Sequence, residues 1–121
     1  MSGGEPAWFQ AAFNRAIEPI KIELRRELGK TMRICALSYN ETCGTGDAAT
    51  LYVVPFENGE YPTEPPHNLP ALTSPKIVRE LNVNEANSYY KGYGLPGWPP
   101  LEHRIAKILH AIGCGPPPHF D

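Results

Sequence analysis

The sequence lacks any apolar run long enough to indicate a membrane-spanning segment. Its apolar runs are much shorter than the ~20 residues that cross a bilayer. The first ten residues, MSGGEPAWFQ, also lack the basic segment and the apolar core of a secretory signal. We therefore expect no membrane association and an intracellular location, in the nucleus or the cytoplasm.

Cysteine is scarce, and its pattern indicates neither a disulfide framework nor a catalytic site. The three cysteines, Cys35, Cys43 and Cys114, are an odd number without the spacing of a metal site. Cys114 follows His110 by four residues, but such a pair lacks the further ligands that a metal needs. Cys43 lies in a glycine-rich loop without the signature of a nucleophile. The sequence predicts no catalytic residue, metal, cofactor or small-molecule substrate, and therefore no enzyme.

Basic residues are missing from the middle of the chain, and charge elsewhere is nearly balanced. Residues 35–73 carry five acidic side chains and no Lys or Arg, while the segments on either side are slightly basic. The net charge is −2 over 121 residues, a length that is typical of one domain. A strongly basic patch, the usual mark of a nucleic-acid surface, is not evident.

The N-terminal region has the periodicity of a long amphipathic helix, which we expect over residues 6–38. Large apolar side chains recur at spacings of 4, 4, 3, 4 and 4, which places them on one helix face. We call this set the apolar stripe: Phe9, Phe13, Ile17, Ile20, Leu24 and Leu28. Pro19 either kinks the helix or divides it, and the continuous stripe favours one kinked helix. About 30 helical residues are about 45 Å long, which is hard to cover within a small chain, so the stripe predicts a coiled-coil homodimer or higher homo-oligomer. The alternative is that the stripe packs on its own domain.

Residues 39–73 are predicted to form a loop, a short β element and a proline-rich crossing. The run from Leu51 to Phe56 is rich in β-forming residues, and Asn58-Gly59 is the preferred dipeptide of a tight hairpin. Pro55 and Pro62 restrict this element to a short hairpin or an edge strand. Residues 62–75 contain five prolines and predict an extended crossing over the surface.

Residues 74–114 are predicted to form a compact helical unit. Ser74 and Pro75 have the order of an N-cap and a first helical residue, and Asn82 begins a second helix. Pro99 and Pro100 begin a last helix, and Gly113 ends it. We expect residues 1–5 to be disordered and residues 115–121 to be frayed.

Four residues of this unit are candidates for contact with nucleic acid or a protein partner: Lys91, Trp98, Arg104 and Lys107. The three basic side chains could contact phosphates. Trp98, beside several tyrosines, either seals a small core or forms an aromatic contact point for a partner. The pattern leaves both roles open.

The same region resembles the SAP-type helix–extended–helix DNA-binding motif and, more loosely, the LEM-type motif. The resemblance rests on apolar helix positions and a Gly-Leu-Pro connector: Leu81, Ala86, Tyr90, Gly94, Leu95, Pro96, Ile105 and Leu109. It implies a fold, a helical unit with an extended elbow, more than it implies a ligand.

A second resemblance covers most of the chain. The order of YVVPFENG, PHNLPALTS, YYKGYGLPG and a final AIGC, after an amphipathic helix with an internal proline, resembles the C-terminal domain of fungal meiotically up-regulated (Mug-type) proteins. This resemblance implies an intracellular fungal setting and points to meiosis or transcriptional regulation. It implies no assigned enzymatic activity or cofactor.

The sequence as a whole predicts a mainly α fold with a small β element. The function that we expect is a non-enzymatic oligomerisation or protein-interaction module, homodimeric through its N-terminal helix. The alternative is a DNA-binding protein that uses the C-terminal helical unit.

Overall fold

The computed structural model describes residues 7–43, 46 and 48–115 and shows a mainly helical chain. The predicted disordered terminus, residues 1–5, and all but the first residue of the predicted frayed tail lie outside the described residues. The helices of the described part are α1 (Ala7–Asn40), α2 (Pro75–Arg79), α3 (Val83–Gly92) and α4 (Leu101–Ala111).

Helix α1 is a single helix of 34 residues that passes through Pro19 without a break. It ends two residues later than predicted, at Asn40, where the backbone tightens into turns. At 1.5 Å per residue it is about 50 Å long. The prediction of one long N-terminal helix is therefore confirmed.

The start signals of α2 and α3 act as the sequence predicts. Ser74 caps α2 by accepting the N–H of Ile77 at 3.4 Å, and Pro75 is its first residue. Asn82 and Glu85 form a reciprocal capping box at the start of α3, with bonds of 2.8 and 3.1 Å. Each bond satisfies a backbone N–H that the first helical turn would otherwise leave unpaired.

The core lies between α3, α4 and the irregular segments that cross them. Three tyrosines at α3 hold these segments in place, because each hydroxyl donates a hydrogen bond to a backbone carbonyl of a segment. Tyr89 donates to Pro70 and Tyr90 to Pro96, both at 2.5 Å, and Tyr93 donates to Val54 at 2.7 Å. The rings pack with apolar side chains that include Leu51, Val54, Phe56, Leu72, Val78, Ile108 and Ile112.

The predicted β element at residues 51–62 is not formed, and no β strand occurs within residues 7–43, 46 and 48–115. The backbone donors of this segment bond to separate partners instead of one neighbouring strand. Leu51 donates to the carbonyl of Thr73, Tyr52 donates to the side chain of Asn40, and Phe56 donates to the carbonyl of Glu60. Pro55 has no donor to add to a ladder. The β-forming side chains serve as core residues of an irregular segment.

The proline-rich crossing is extended only in its second half. Residues 62–67 form turns, and residues 68–73 then run without regular structure to the N-cap of α2. Leu72 is buried in this part and Leu69 packs against the core, so both anchor the crossing as the sequence predicts.

Candidate interaction surface

The C-terminal half of α1 is fastened to the rest of the molecule by a contact between two glycine backbones. A Cβ atom built on Gly29 would stand 2.0 Å from the carbonyl oxygen of Gly59. A Cβ on Gly59 would stand 2.1 Å from the carbonyl oxygen of Arg26, and Gly59 also has a φ of 89°. Only glycine fits both positions, because any side chain would separate α1 from the turn at residues 56–60.

Asn40 holds the end of α1 with a fully buried side chain. Its Nδ2 donates to the carbonyls of Tyr52 at 3.0 Å and Ile112 at 2.8 Å. Its Oδ1 accepts the backbone N–H of Tyr52 at 2.8 Å. One side chain therefore joins α1, the segment before Phe56 and the end of α4.

An ion-pair cluster lies next to the glycine contact and joins Arg26 of α1 to Glu60 and His67. Glu60 accepts a hydrogen bond from His67 at 3.0 Å and lies 3.9 Å from the guanidinium of Arg26. The hydrogen bond from His67, followed by one from the side chain of Asn58, lowers the pKa of the Glu60 carboxyl. Beside this cluster runs an open groove of about 790 Å³ between α1 and residues 59–65.

The apolar stripe lies on the side of α1 that faces away from these anchors. At about 100° per residue, its midline is about 150° round the helix from Gly29, Ala36 and Asn40. Ile20, Leu24 and Leu28 are 57%, 64% and 62% exposed. Phe9 and Phe13 are also exposed, and Ile17 is half-buried. The structure therefore brings all six predicted residues to one face and leaves that face largely open to solvent.

Sequence reasoning left Glu27 and Ile34, at the edge of this face, out of the predicted set. Glu27 lies in line with Phe13 and Ile20, and Ile34 continues the same line one heptad later. Ile34 is exposed, and Glu27 pairs with Lys30 at 3.2 Å. The seven-residue spacing 13, 20, 27, 34 is the signal that identifies both.

The structure brings three of the four predicted contact residues together around one indole ring. The guanidinium of Arg104 lies 4.4 Å from the ring centroid of Trp98, and the ammonium of Lys91 lies 5.7 Å from it. Tyr90 contacts the ring edge-on at 5.5 Å. Lys107 lies outside this cluster, half-buried on α4.

Arg104 is occupied by contacts within the chain. It is 7% exposed, and its Nη1 donates to the carbonyl of Pro99 at 2.6 Å. Its Nε is buried without a hydrogen-bond partner within the described part of the chain. The Trp98 ring is half exposed and remains accessible.

Potential metal ligands are not grouped together in the described part of the chain. Among residues 7–43, 46 and 48–115, no three His, Cys, Asp or Glu side chains are grouped as a metal ion requires. Burial raises the pKa of the Cys114 thiol, which favours its protonated form. None of the helices that the structure describes combines the length and apolar character needed to cross a membrane.

These features describe a small helical domain with a long projecting helix. The chain belongs to the family described as Mug135-like, C-terminal domain, which it matches over residues 38–115. The match begins at the last turn of α1 and ends just after α4, so the apolar stripe precedes it. No curated protein gives a significant sequence match to the chain.

Proposed function

We propose that this protein is a non-enzymatic self-association module and that the apolar stripe is its interface. The observation that carries the proposal is the position of the stripe. One side of α1 is held to the domain by the glycine contact, by Asn40 and by the ion-pair cluster. The stripe lies on the opposite side. The domain's own core therefore leaves these side chains uncovered.

The size of the exposed face supports this proposal. The stripe extends over about 28 Å of helix and presents several large apolar side chains in one line. Apolar patches of more than a few hundred Å² are rare on monomers and mark interaction sites. A second copy of the chain offers a matching face of the same length, and homo-oligomers are most often two-fold dimers.

The test is the solution mass of the full chain by light scattering after size exclusion, at several concentrations. A dimer has twice the 13.4 kDa of one chain. The double variant Ile17→Gln/Leu24→Gln removes two apolar contacts while keeping good helix formers, so it should lower the mass toward that of a single chain.

The matched control is Ile22→Gln, which removes an exposed apolar side chain from the groove side of the same helix. This variant should keep the dimer mass, and circular dichroism should show equal helix content in all three proteins. A parent protein that stays a monomer at every concentration would exclude the proposal. So would a dimer that the double variant leaves intact.

The alternative function, DNA binding through α3, α4 and their connector, has less support in the contacts. Arg104 is engaged by Trp98 and Pro99, which leaves Lys91 and Lys107 as its basic contacts. The connector itself, Gly97-Trp98-Pro99-Pro100, adds no cation. Duplex binding that weakens steeply with added salt, and that Lys91→Ala reduces, would support this alternative over a purely self-associating module.

A further inference from the structure

The apolar stripe has the same residue spacings in both directions along α1. Its spacings, 4, 4, 3, 4 and 4, are symmetric about a point between Glu18 and Pro19. Its side chains are graded in size, with two phenylalanines at the N-terminal end, two isoleucines in the middle and two leucines at the C-terminal end. Both properties bear on how two copies of this helix fit together.

We infer that two copies pair through their α1 helices in antiparallel orientation, about a two-fold axis between Glu18 and Pro19. This inference rests on the proposed self-association and adds its geometry. It places Phe9 level with the partner's Leu28, Phe13 level with the partner's Leu24, and Ile17 level with the partner's Ile20. About 24 residues of each helix overlap.

The graded side-chain sizes favour this orientation. In an antiparallel pair each level combines a Phe with a Leu or two isoleucines, so the helices keep a constant separation. A parallel pair in register would place four phenylalanines at one end and four leucines at the other. Because the distance between packed helices follows the side chains at their contact, the parallel seam would be uneven.

Glu27 supplies a second and independent argument. Its side chain lies at the edge of the stripe, in the same direction from the helix axis as Phe9. A parallel pair in register sets this carboxylate against the partner's Glu27, which is unfavourable because like charges repel in a seam. An antiparallel pair sets it level with the partner's Gln10, an amide that can donate a hydrogen bond to it.

The attachment of the domain to α1 leaves room for this arrangement. The buried residues of α1, Gly29, Ala36 and Asn40, lie on the far side of the helix from the stripe. The two domains of an antiparallel pair therefore lie at opposite ends and on outward faces. The partner helix then covers residues 7–30 on the stripe side of α1, where Leu28 also borders the groove.

Disulfide cross-linking of the full chain distinguishes the orientations. In a Cys35→Ser/Cys43→Ser background, Phe13→Cys and Leu24→Cys are made as separate proteins. The antiparallel pair places position 13 beside the partner's position 24, whereas two copies of position 13 are about 16 Å apart along the axis. A disulfide requires Cα atoms within about 7 Å. Each protein alone should remain reduced under mild oxidation, and an equal mixture should form the linked dimer.

A spin-label distance at Cys35 provides a second measurement that leaves the stripe unchanged. Cys35 is exposed, and a Cys43→Ser protein labelled there should show a separation of about 50 Å. A separation below about 20 Å, or cross-linking of each single-cysteine protein alone, would establish a parallel pair and overturn the inference. A dimer mass with neither signal would also overturn it, while a monomer at every concentration would instead exclude the proposed function itself.

Discussion

Gly29 of α1 and Gly59 of the 56–60 turn meet backbone to backbone, so closely that neither position has room for a Cβ atom. A glycine inside a helix costs about 1 kcal/mol relative to alanine. Gly29 nevertheless allows the helix to approach the turn, and the Arg26–Glu60 contact lies one helical turn away. The approach fixes the rotation of α1, and this rotation turns the apolar stripe outward.

The substitution Gly29→Ala should therefore destabilise the protein, although helix propensity alone predicts the reverse. The added methyl group would overlap the Gly59 carbonyl, and such overpacking costs about 1–3 kcal/mol. Ser38→Ala, at an exposed position of the same helix, is the control and should be neutral or slightly stabilising. Urea unfolding gives both free energies. A stabilised Gly29→Ala protein would show that the two backbones are not in contact.

The side chain of Asn40 should be among the most sensitive positions in the protein. Asn40→Ala removes the partner of the buried Ile112 carbonyl and the partner of the part-buried carbonyl and N–H of Tyr52. We expect a loss of roughly 2–4 kcal/mol in the free energy of unfolding. Asn14→Ala, on the exposed part of α1, is the matched substitution and should change it by less than about 0.5 kcal/mol. Equal effects at the two positions would contradict the bonding network.

Alkaline pH should unfold the protein through its buried tyrosines. Burial raises the pKa of Tyr93 and of Tyr89 above the usual value near 10. Because the pKa is raised in the folded state, the stabilisation is complete below pH 10 and is lost as pH rises above it. Each such tyrosine should lower the free energy of unfolding by about 1.4 kcal/mol per pH unit there.

The substitution Tyr93→Phe isolates the contribution of Tyr93 to this alkaline loss of stability. It should flatten the alkaline loss of stability, and it should cost about 1–2 kcal/mol at pH 7 because the Val54 carbonyl loses its donor. Tyr52→Phe, at an exposed ring, is the control and should change stability at pH 7 by less than about 0.5 kcal/mol. An unchanged alkaline slope in Tyr93→Phe would show that Tyr93 ionises equally in both states.

Arg104 should behave as a structural residue whose guanidinium group is required. It stacks against Trp98 and donates to Pro99, two contacts that an ammonium cannot reproduce together. Arg104→Lys should cost about 1–2 kcal/mol and shift the emission of Trp98, measured in a Trp8→Phe background. Arg15→Lys, at an exposed helix position, is the control. A neutral Arg104→Lys would show that these two contacts contribute little to stability.

The helices were predictable from the sequence because their signals are local. The stripe defines α1, and Ser74-Pro75 and Asn82 begin α2 and α3 where the caps form. These signals depend on neighbours within one or two helical turns. The stripe residues were predictable for the same reason, because spacing along the sequence is enough to assign residues to one helix face.

The contacts that orient the helices were not predictable, because they join residues that are distant in sequence. Asn58-Gly59 has the signature of a hairpin, but Gly59 serves the approach to Gly29. The donors of Leu51 and Tyr52 go to Thr73 and Asn40, and no neighbouring strand is available in the described residues. The β prediction failed because the β-forming side chains fill a core whose walls are helices.

The pairing of Glu27 with Gln10 between copies can be tested with single charges. The two positions lie about 25 Å apart within one helix, so any coupling between them reports contact between chains. Gln10→Lys should tighten the dimer about 2- to 10-fold by placing two symmetric ion pairs at the seam, and Gln10→Glu should weaken it. The helix dipole opposes a cation near the start of α1, so intrinsic helix stability predicts the reverse order. Dissociation constants from sedimentation at low and high salt decide, since equal values for the two variants would exclude the antiparallel register.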